Sequence, residues 1–345
     1  MTLRSVAALV DAGLVPAEDR PALDAVAARY AVAVTAGMAA LIDPNDPDDP
    51  IARQFLPHPG ELQTAPEELG DPIGDEALSP VAGIVHRYPD RVLLKPLHAC
   101  PVYCRFCFRR EQVGPGGAAL DDAGLEAALD YIRARPQIRE VILTGGDPLM
   151  LAPRRLGAIL SALDRIAHVD TLRIHSRVPV VDPARIDDAL LAAFSAIRKP
   201  VWLAVHANHA REFTEAARGA CRRLAGSGIP LLGQSVLLRG VNDNVAALET
   251  LFRAMIALRI KPYYLHHPDL APGTARFRLT VAEGRALIGA LRGRIPGIAI
   301  PTYVLDIPGG AGKAPVGPDA LETGGVRDAA GRVHPYPFAG NSLRE

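Results

Sequence analysis

The sequence predicts an α/β fold: a partial (β/α) TIM-like barrel behind an N-terminal helical extension. Three observations carry that prediction. From Arg91 onward, short β-branched runs alternate with longer stretches of helical apolar spacing, the pattern of parallel strands joined by outer helices. Chemically distinctive residues fall at or just past the ends of those runs, where the reactive groups of such barrels gather. Residues 1–80 lack the alternation and read as helices followed by a proline-rich connector.

In the extension, Leu3–Ala12 and Pro21–Tyr30 place apolar residues at helical spacing. Residues 43–50 are aspartate and proline with one asparagine. No regular structure is expected there, because proline lacks a donor and restricts the residue before it. The barrel spans 81–305. Its strand candidates are Arg91–Leu97, Glu140–Thr144, Thr171–His175, Val201–His206, Pro230–Val236, Pro262–His266 and Ala299–Leu305. Helices are expected over Asp121–Ala134, Arg154–Ile166, Ile186–Ile197, Glu212–Leu224, Asn244–Leu258 and Val281–Leu291. Residues 306–345 read as a glycine-rich loop and tail.

Lysine plus arginine and aspartate plus glutamate number 38 each, which removes the positive field expected of a nucleic-acid binder. The longest apolar stretch, Ala31 to Ile42, is broken by Thr35 and Gly37 and is too short to span a bilayer. The chain opens without a hydrophobic signal segment. A cytoplasmic protein without membrane or nucleic-acid partners is therefore expected, and that compartment keeps thiols reduced.

Cys100, Cys104 and Cys107 lie within eight residues, and Cys221 is the one further cysteine of the sequence. Three thiolates on one loop can hold three irons of a cubane cluster and leave the fourth without a protein ligand. A closed structural zinc or iron–sulfur site wants a fourth. Zinc motifs usually open on a two-residue gap and repeat the pair, and no second pair exists here. Four cysteines cannot staple a chain of 345 residues. Cys221, at an apolar helix position, reads as a small core residue. The spacing CxxxCxxC, with Phe106 before the last cysteine, resembles the radical S-adenosylmethionine (SAM) enzymes, in which SAM chelates the free iron.

The rim of strand ends carries further candidates. Gly145, Gly146 and Asp147 follow the second strand, His175 and Arg177 end the third, and His206 ends the fourth. Gln234 sits in the fifth, Asp269 follows the sixth and Asp306 the seventh. Each alone reads as a loop residue; seven such positions on one rim point to a site. The two glycines permit close backbone approach to a ligand, although a tight turn explains them equally when taken alone. After a three-cysteine loop they resemble the radical SAM segment that contacts the amino group of SAM.

The stretch from Asp306 to Ala314 looks like a phosphate loop but fails as Walker A. Ile307 stands where its first glycine belongs, and Ala314 replaces the Ser or Thr after Lys313. A glycine-loop lysine is either a solvated lysine or a Schiff-base lysine reaching an aldehyde cofactor.

Longer segments then make a resemblance to the lysine 2,3-aminomutase family. They are Arg29-Tyr30, Leu41–Pro44, Asp49–Ile51, His86–Leu93, the cysteine loop, Leu143–Leu149, Gln234–Asp243, Tyr263–Leu265, Asp269-Leu270, Pro301–Gly310 and Gly312-Lys313. The resemblance implies a radical SAM barrel with a 4Fe-4S cluster on Cys100, Cys104 and Cys107, SAM, and pyridoxal 5′-phosphate (PLP) on Lys313. It implies that Arg109 pairs with the substrate carboxylate, and that Asp269 and Asp306 hold the distal ammonium of lysine. Arg91, Gln234, Gly145, Gly146, Asp147, His175, Arg177 and His206 are expected around PLP or SAM. The implied reaction moves the α-amino group of L-lysine to the β-carbon, giving β-lysine. A 5′-deoxyadenosyl radical starts it after a donor such as flavodoxin or ferredoxin reduces the cluster.

Those roles agree with the side chains. Guanidinium is a planar fork for carboxylate, and a buried ammonium needs negative partners. Two departures from the family stand out. Val316 to Glu345 contain no cysteine, so the zinc site that larger members build there, and its part in forming a homo-oligomer, are in doubt. The chain is also shorter at both ends, like the branch making β-lysine for elongation factor P. An aminomutase for glutamate or arginine is one alternative, that elongation-factor supplier another, and an iron–sulfur redox protein a third outside enzymes.

Overall fold

Nine strands form one sheet in chain order. They are β1 (Ile84–Tyr88), β2 (Arg91–Leu97), β3 (Glu140–Gly145), β4 (Thr171–Ser176), β5 (Val201–His206), β6 (Leu231–Val236), β7 (Ile260–His266), β8 (Thr302–Ile307) and β9 (Gly312–Pro315). This is a computed structural model, and it describes residues 2–114, 119–319, 321–322, 325–328 and 331–335. From β2 to β8 every neighbour is parallel, whereas β1 and β9 run antiparallel at the two edges. The edges meet through a side chain: the Lys313 amide of β9 donates to the Tyr88 hydroxyl of β1 at 2.8 Å. The sheet is a nearly closed TIM-like barrel.

The seven predicted strands are the seven parallel ones. Helices lie between them over Asp122–Arg133, Pro153–Asp164, Asp188–Ser195, Glu215–Gly226, Val245–Ala257 and Val281–Leu291. Five begin on a side chain that accepts a first-turn amide: Asp121, Asp187, Thr214, Asn244 and Thr280, satisfying donors that a helix start leaves free. The sixth has Pro153 in its first turn instead. Strand β8 starts at Thr302 rather than the expected Ala299, because Gly297–Ala299 closes a short 3₁₀ turn and Pro301 has no amide to give.

Alternation along the strands sorts the side chains. Val92, Leu94, Val141, Leu143, Leu172, Ile174, Leu203 and Val205 join the outer core, together with the helices and Cys221. Their neighbours in sequence face inward, among them Lys95, Thr144, Arg173, His175, His206, Gln234 and Asp306. Branched apolar side chains usually fill such an interior. This one carries many polar and charged side chains toward the C-terminal ends of the strands, the chemistry of a ligand site rather than of a packed core.

Two expectations are corrected. Lys313, read as part of a glycine-rich loop, lies in strand β9, paired in register with Asp306. Gly309 and Gly310 have φ of 79° and 92° and turn the chain back after β8; β1 was likewise missed. The aspartate–proline run is irregular only up to Asp49, which caps a helix over Pro50–Phe55 that proline opens. Beyond the barrel, Leu321–Glu322, Gly325–Arg327 and Val333–Pro335 make a small antiparallel sheet.

The extension packs onto the cysteine loop. Leu9, Val34, Met38, Ile51 and Phe55 form a core with Val102. Beside it the fully buried Glu61 accepts from Arg105 Nε at 3.0 Å and from Arg110 Nη2. Arg105 Nη1 also donates to the Ala31 carbonyl at 2.8 Å. The loop is thus clamped at positions between its cysteines, Val102 and Arg105, and just after them, at Arg110.

Candidate active site

The cysteine loop leaves β2 at the C-terminal end of the parallel strands. Burial pushes up all three thiols. Cys100 rises well above the usual range, helped by Asp147 and the other two thiols, and Cys107 is pushed up to about 11. At Cys104 burial is opposed by Arg177, whose Nη1 lies 2.8 Å from Sγ. Free thiols here are protonated at neutral pH, so metal must displace protons to bind. Among the described residues no three His, Cys, Asp or Glu side chains converge as one ion requires. A cubane asks for something different, three thiolates each on its own iron.

The glycine segment after β3 serves this loop. A Cβ on Gly146 would come within 2.3 Å of the Ala99 carbonyl, and one on Gly145 within 2.6 Å of the Leu97 carbonyl. The backbone that comes close is the chain's own, and Gly146 and Asp147 donate to Leu97 and Ala99 at 2.8 and 2.9 Å. Both Asp147 oxygens are engaged, accepting from Leu149 N, Ser176 Oγ, Arg177 N and Val178 N at 2.7–3.1 Å. These residues lock the ends of β2, β3 and β4 together.

Arg177 is buried and donates through Nη2 to Gln54 Oε1 and Glu212 Oε2, both at 2.7 Å. Burial works against its charge, but Cys104 and Glu212 outweigh it. His206 lies 3.2 Å from Asn208 Oδ1, and burial followed by the Arg177 charge keeps its ring neutral.

A chain of charges crosses the seam between β1–β2 and β8–β9. Arg109 donates through Nε (2.9 Å) and pairs through Nη2 (2.7 Å) with Asp75 Oδ2. Arg87 reaches Asp75 at 3.3 Å and Asp306 at 3.4 Å. Lys313 Nζ donates to Asp306 Oδ1 at 2.6 Å. Burial opposes ionisation of Asp306, but the His266 ring and the Lys313 ammonium outweigh it and hold the carboxyl far below its usual range. Asp269 behaves oppositely: burial and the neighbouring Asp306 push it up to about 7. Gln234 lies 3.4 Å from His266. Arg91 stacks 3.9 Å over the ring of Tyr88, whose hydroxyl holds the Lys313 amide. Arg91 opens β2, a strand's length from the cysteines, and its guanidinium also pairs with Asp90 at 2.8 Å.

Arg87, Lys95, Arg109 and Lys313 thus face two firmly ionised carboxylates, Asp75 and Asp306. That surplus of positive charge fits an anionic cofactor and a carboxylate-bearing substrate. The buried His175 Nε2 has no partner among the described residues, and burial, then Arg173 and Lys313, keeps the ring neutral. The chemistry of the interior therefore suits a phosphate-bearing aldehyde on Lys313 with SAM at the cysteine loop. Asp75, Arg87, Tyr88 and His266 escaped the sequence reading, although Arg87 and Tyr88 stand inside one of the matching segments.

The radical SAM superfamily model matches residues 94–251. An L-lysine 2,3-aminomutase from Clostridium subterminale is 44% identical over 84% of this chain and 69% of its own length. One from Bacillus subtilis is 40% identical over 90% of this chain and 67% of its own. A glutamate 2,3-aminomutase from Clostridioides difficile is 37% identical over 87% of this chain and 71% of its own. With the cysteine loop, the barrel and the Lys313 strand in place, the chain belongs to the lysine 2,3-aminomutase family of radical SAM isomerases, with a 4Fe-4S cluster, SAM and PLP as cofactors and an amino acid as substrate.

Proposed function

We propose that this aminomutase acts on L-lysine and yields β-lysine. The observation that carries the reading is the juxtaposition of two interacting carboxylates, the half-buried Asp269 and the buried Asp306, beside Lys313. When bound, the reduced cluster with SAM supplies a hydrogen-abstracting radical, and PLP supplies conjugation for the migrating nitrogen. The protein's part is placement. Asp306 already holds one ammonium, that of Lys313. While the Lys313 nitrogen is held by the cofactor, or once the substrate nitrogen has displaced it as a neutral amine, Asp306 would be open to the substrate's distal ammonium. Asp269, poised about 7, ionises as that positive charge arrives. Arg109 lies across the charge chain and takes the carboxylate. A glutamate side chain would instead meet the ionised Asp306.

Cluster reduction calls for a low-potential donor, a flavodoxin or ferredoxin, and the thiols call for a reducing cytoplasm. The relevant test is Asp306→Asn. Removing one partner of a buried charge pair costs roughly 2–5 kcal/mol, so lysine turnover should fall well over about tenfold while turnover of an uncharged lysine analogue falls less. Full lysine activity in both Asp306→Asn and Asp269→Asn would contradict the reading.

A further inference from the structure

Lys95 is a buried ammonium that the proposed reaction does not use. Alternation in β2 turns it into the chamber, since Val92 and Leu94 pack in the outer core. It is 7% exposed. Gly145 on β3 makes room for it: a Cβ there would stand 3.0 Å from Lys95 Cβ. No hydrogen bond or ion pair reaches its Nζ among the described residues. Three acids act on it at longer range, Asp75, Asp71 and Glu76, and the first of these is committed to Arg109 and Arg87. Both Arg109 contacts go to one Asp75 oxygen, and Nη1 of Arg109 has no protein partner among the described residues. Burial and then the Arg109 charge depress the Lys95 pKa and outweigh the three acids, which raise it.

Two neighbouring cations facing a chamber, one unpartnered and one half-used, call for an anion. We propose that Lys95 and Arg109 together form a carboxylate subsite, in which Lys95 is a binding residue additional to the expected arginine. Two bound molecules carry a carboxylate, the amino-acid substrate and the methionine moiety of SAM. The substrate assignment rests on the lysine reading above: its carboxylate at Lys95 and Arg109 places its ammonium toward Asp306, along the same line of charges. Lys95 then compensates for Asp75, which competes with the substrate for Arg109.

The test uses anaerobically reconstituted holoenzyme and equilibrium titrations read from the cofactor absorption band, with no turnover. The ligands are L-lysine, 1,5-diaminopentane (lysine without its carboxylate) and, by calorimetry, SAM. Lys95→Met should weaken L-lysine about tenfold or more, the scale of one charge-assisted contact, while diaminopentane changes less than about twofold and Lys95→Arg restores most of the loss. Lys95→Gln repeats the test if the methionine variant melts early. A loss confined to SAM assigns the same subsite to the SAM carboxylate. Unchanged binding of both L-lysine and SAM, or equal weakening of L-lysine and diaminopentane, overturns the subsite. Should wild type ignore L-lysine but bind arginine or glutamate in a Lys95-dependent way, the subsite stands and the lysine reading fails.

Discussion

Lys313 and Asp306 are the residues whose roles are most closely tied, because one ammonium already occupies the carboxylate meant for another. Schiff-base chemistry needs the lysine as a free amine, so cofactor loading must break the 2.6 Å contact. Borohydride reduction of PLP-loaded protein, followed by peptide mass spectrometry, should place the pyridoxyl group on Lys313. Lys95 and Lys261 are the competing sites, and a tag on either would reassign the chemistry. Asp269 sets the pH behaviour. Its carboxyl sits at about 7 rather than near the ordinary aspartate value, so below pH 7 the free protein carries the proton. An arriving ammonium favours the carboxylate, and lysine binding should therefore strengthen as pH rises through about 7 and release a proton below it. Calorimetry in buffers of different ionisation enthalpy measures that release, and Asp269→Asn should abolish it. The sign for folding is opposite. A carboxyl raised in the folded state costs stability as pH climbs from about 4 to about 7, since the unfolded chain gives up the proton first.

Among the elements, the cysteine loop depends on a clamp that is ionic as well as apolar. Glu61 is fully enclosed against Arg105 and Arg110, with Arg276 3.8 Å away. Glu61→Gln leaves those guanidinium groups undercompensated, and breaking a buried pair in this way costs about 3–5 kcal/mol. Melting should shift down, and reconstituted protein should retain less iron. Glu126→Gln, at the exposed Arg133 pair, is the control and should cost under about 1 kcal/mol. The seven parallel strands and six outer helices were legible because period two and period 3.6 separate cleanly in Val/Ile runs and amphipathic stretches. Strand β9 was not, because Gly309, Gly310 and Gly312 erase both periods just where their positive φ makes the hairpin turn. Asp75 was equally hidden. It gains its meaning from Arg109, 34 residues on, through an aperiodic acidic segment that carries no local signal.

For the whole molecule, function follows from a barrel that brings charged side chains together at one end of its interior. The extension covers the cysteine rim, β1 and β9 close the seam, and the seam carries the line Arg109, Asp75, Arg87, Asp306, Lys313. Most candidate site residues were legible as polar outliers at strand ends. The structure adds that several of them, Gly145, Gly146 and Asp147 above all, hold the rim together. What distinguishes one aminomutase from another is the charge at each end of that line. A direct product analysis decides it: reconstituted, reduced protein incubated anaerobically with SAM and, separately, L-lysine, L-arginine and L-glutamate. The two-carboxylate chamber predicts β-lysine from L-lysine as the main product and little or no β-glutamate; β-glutamate in place of β-lysine would contradict the account.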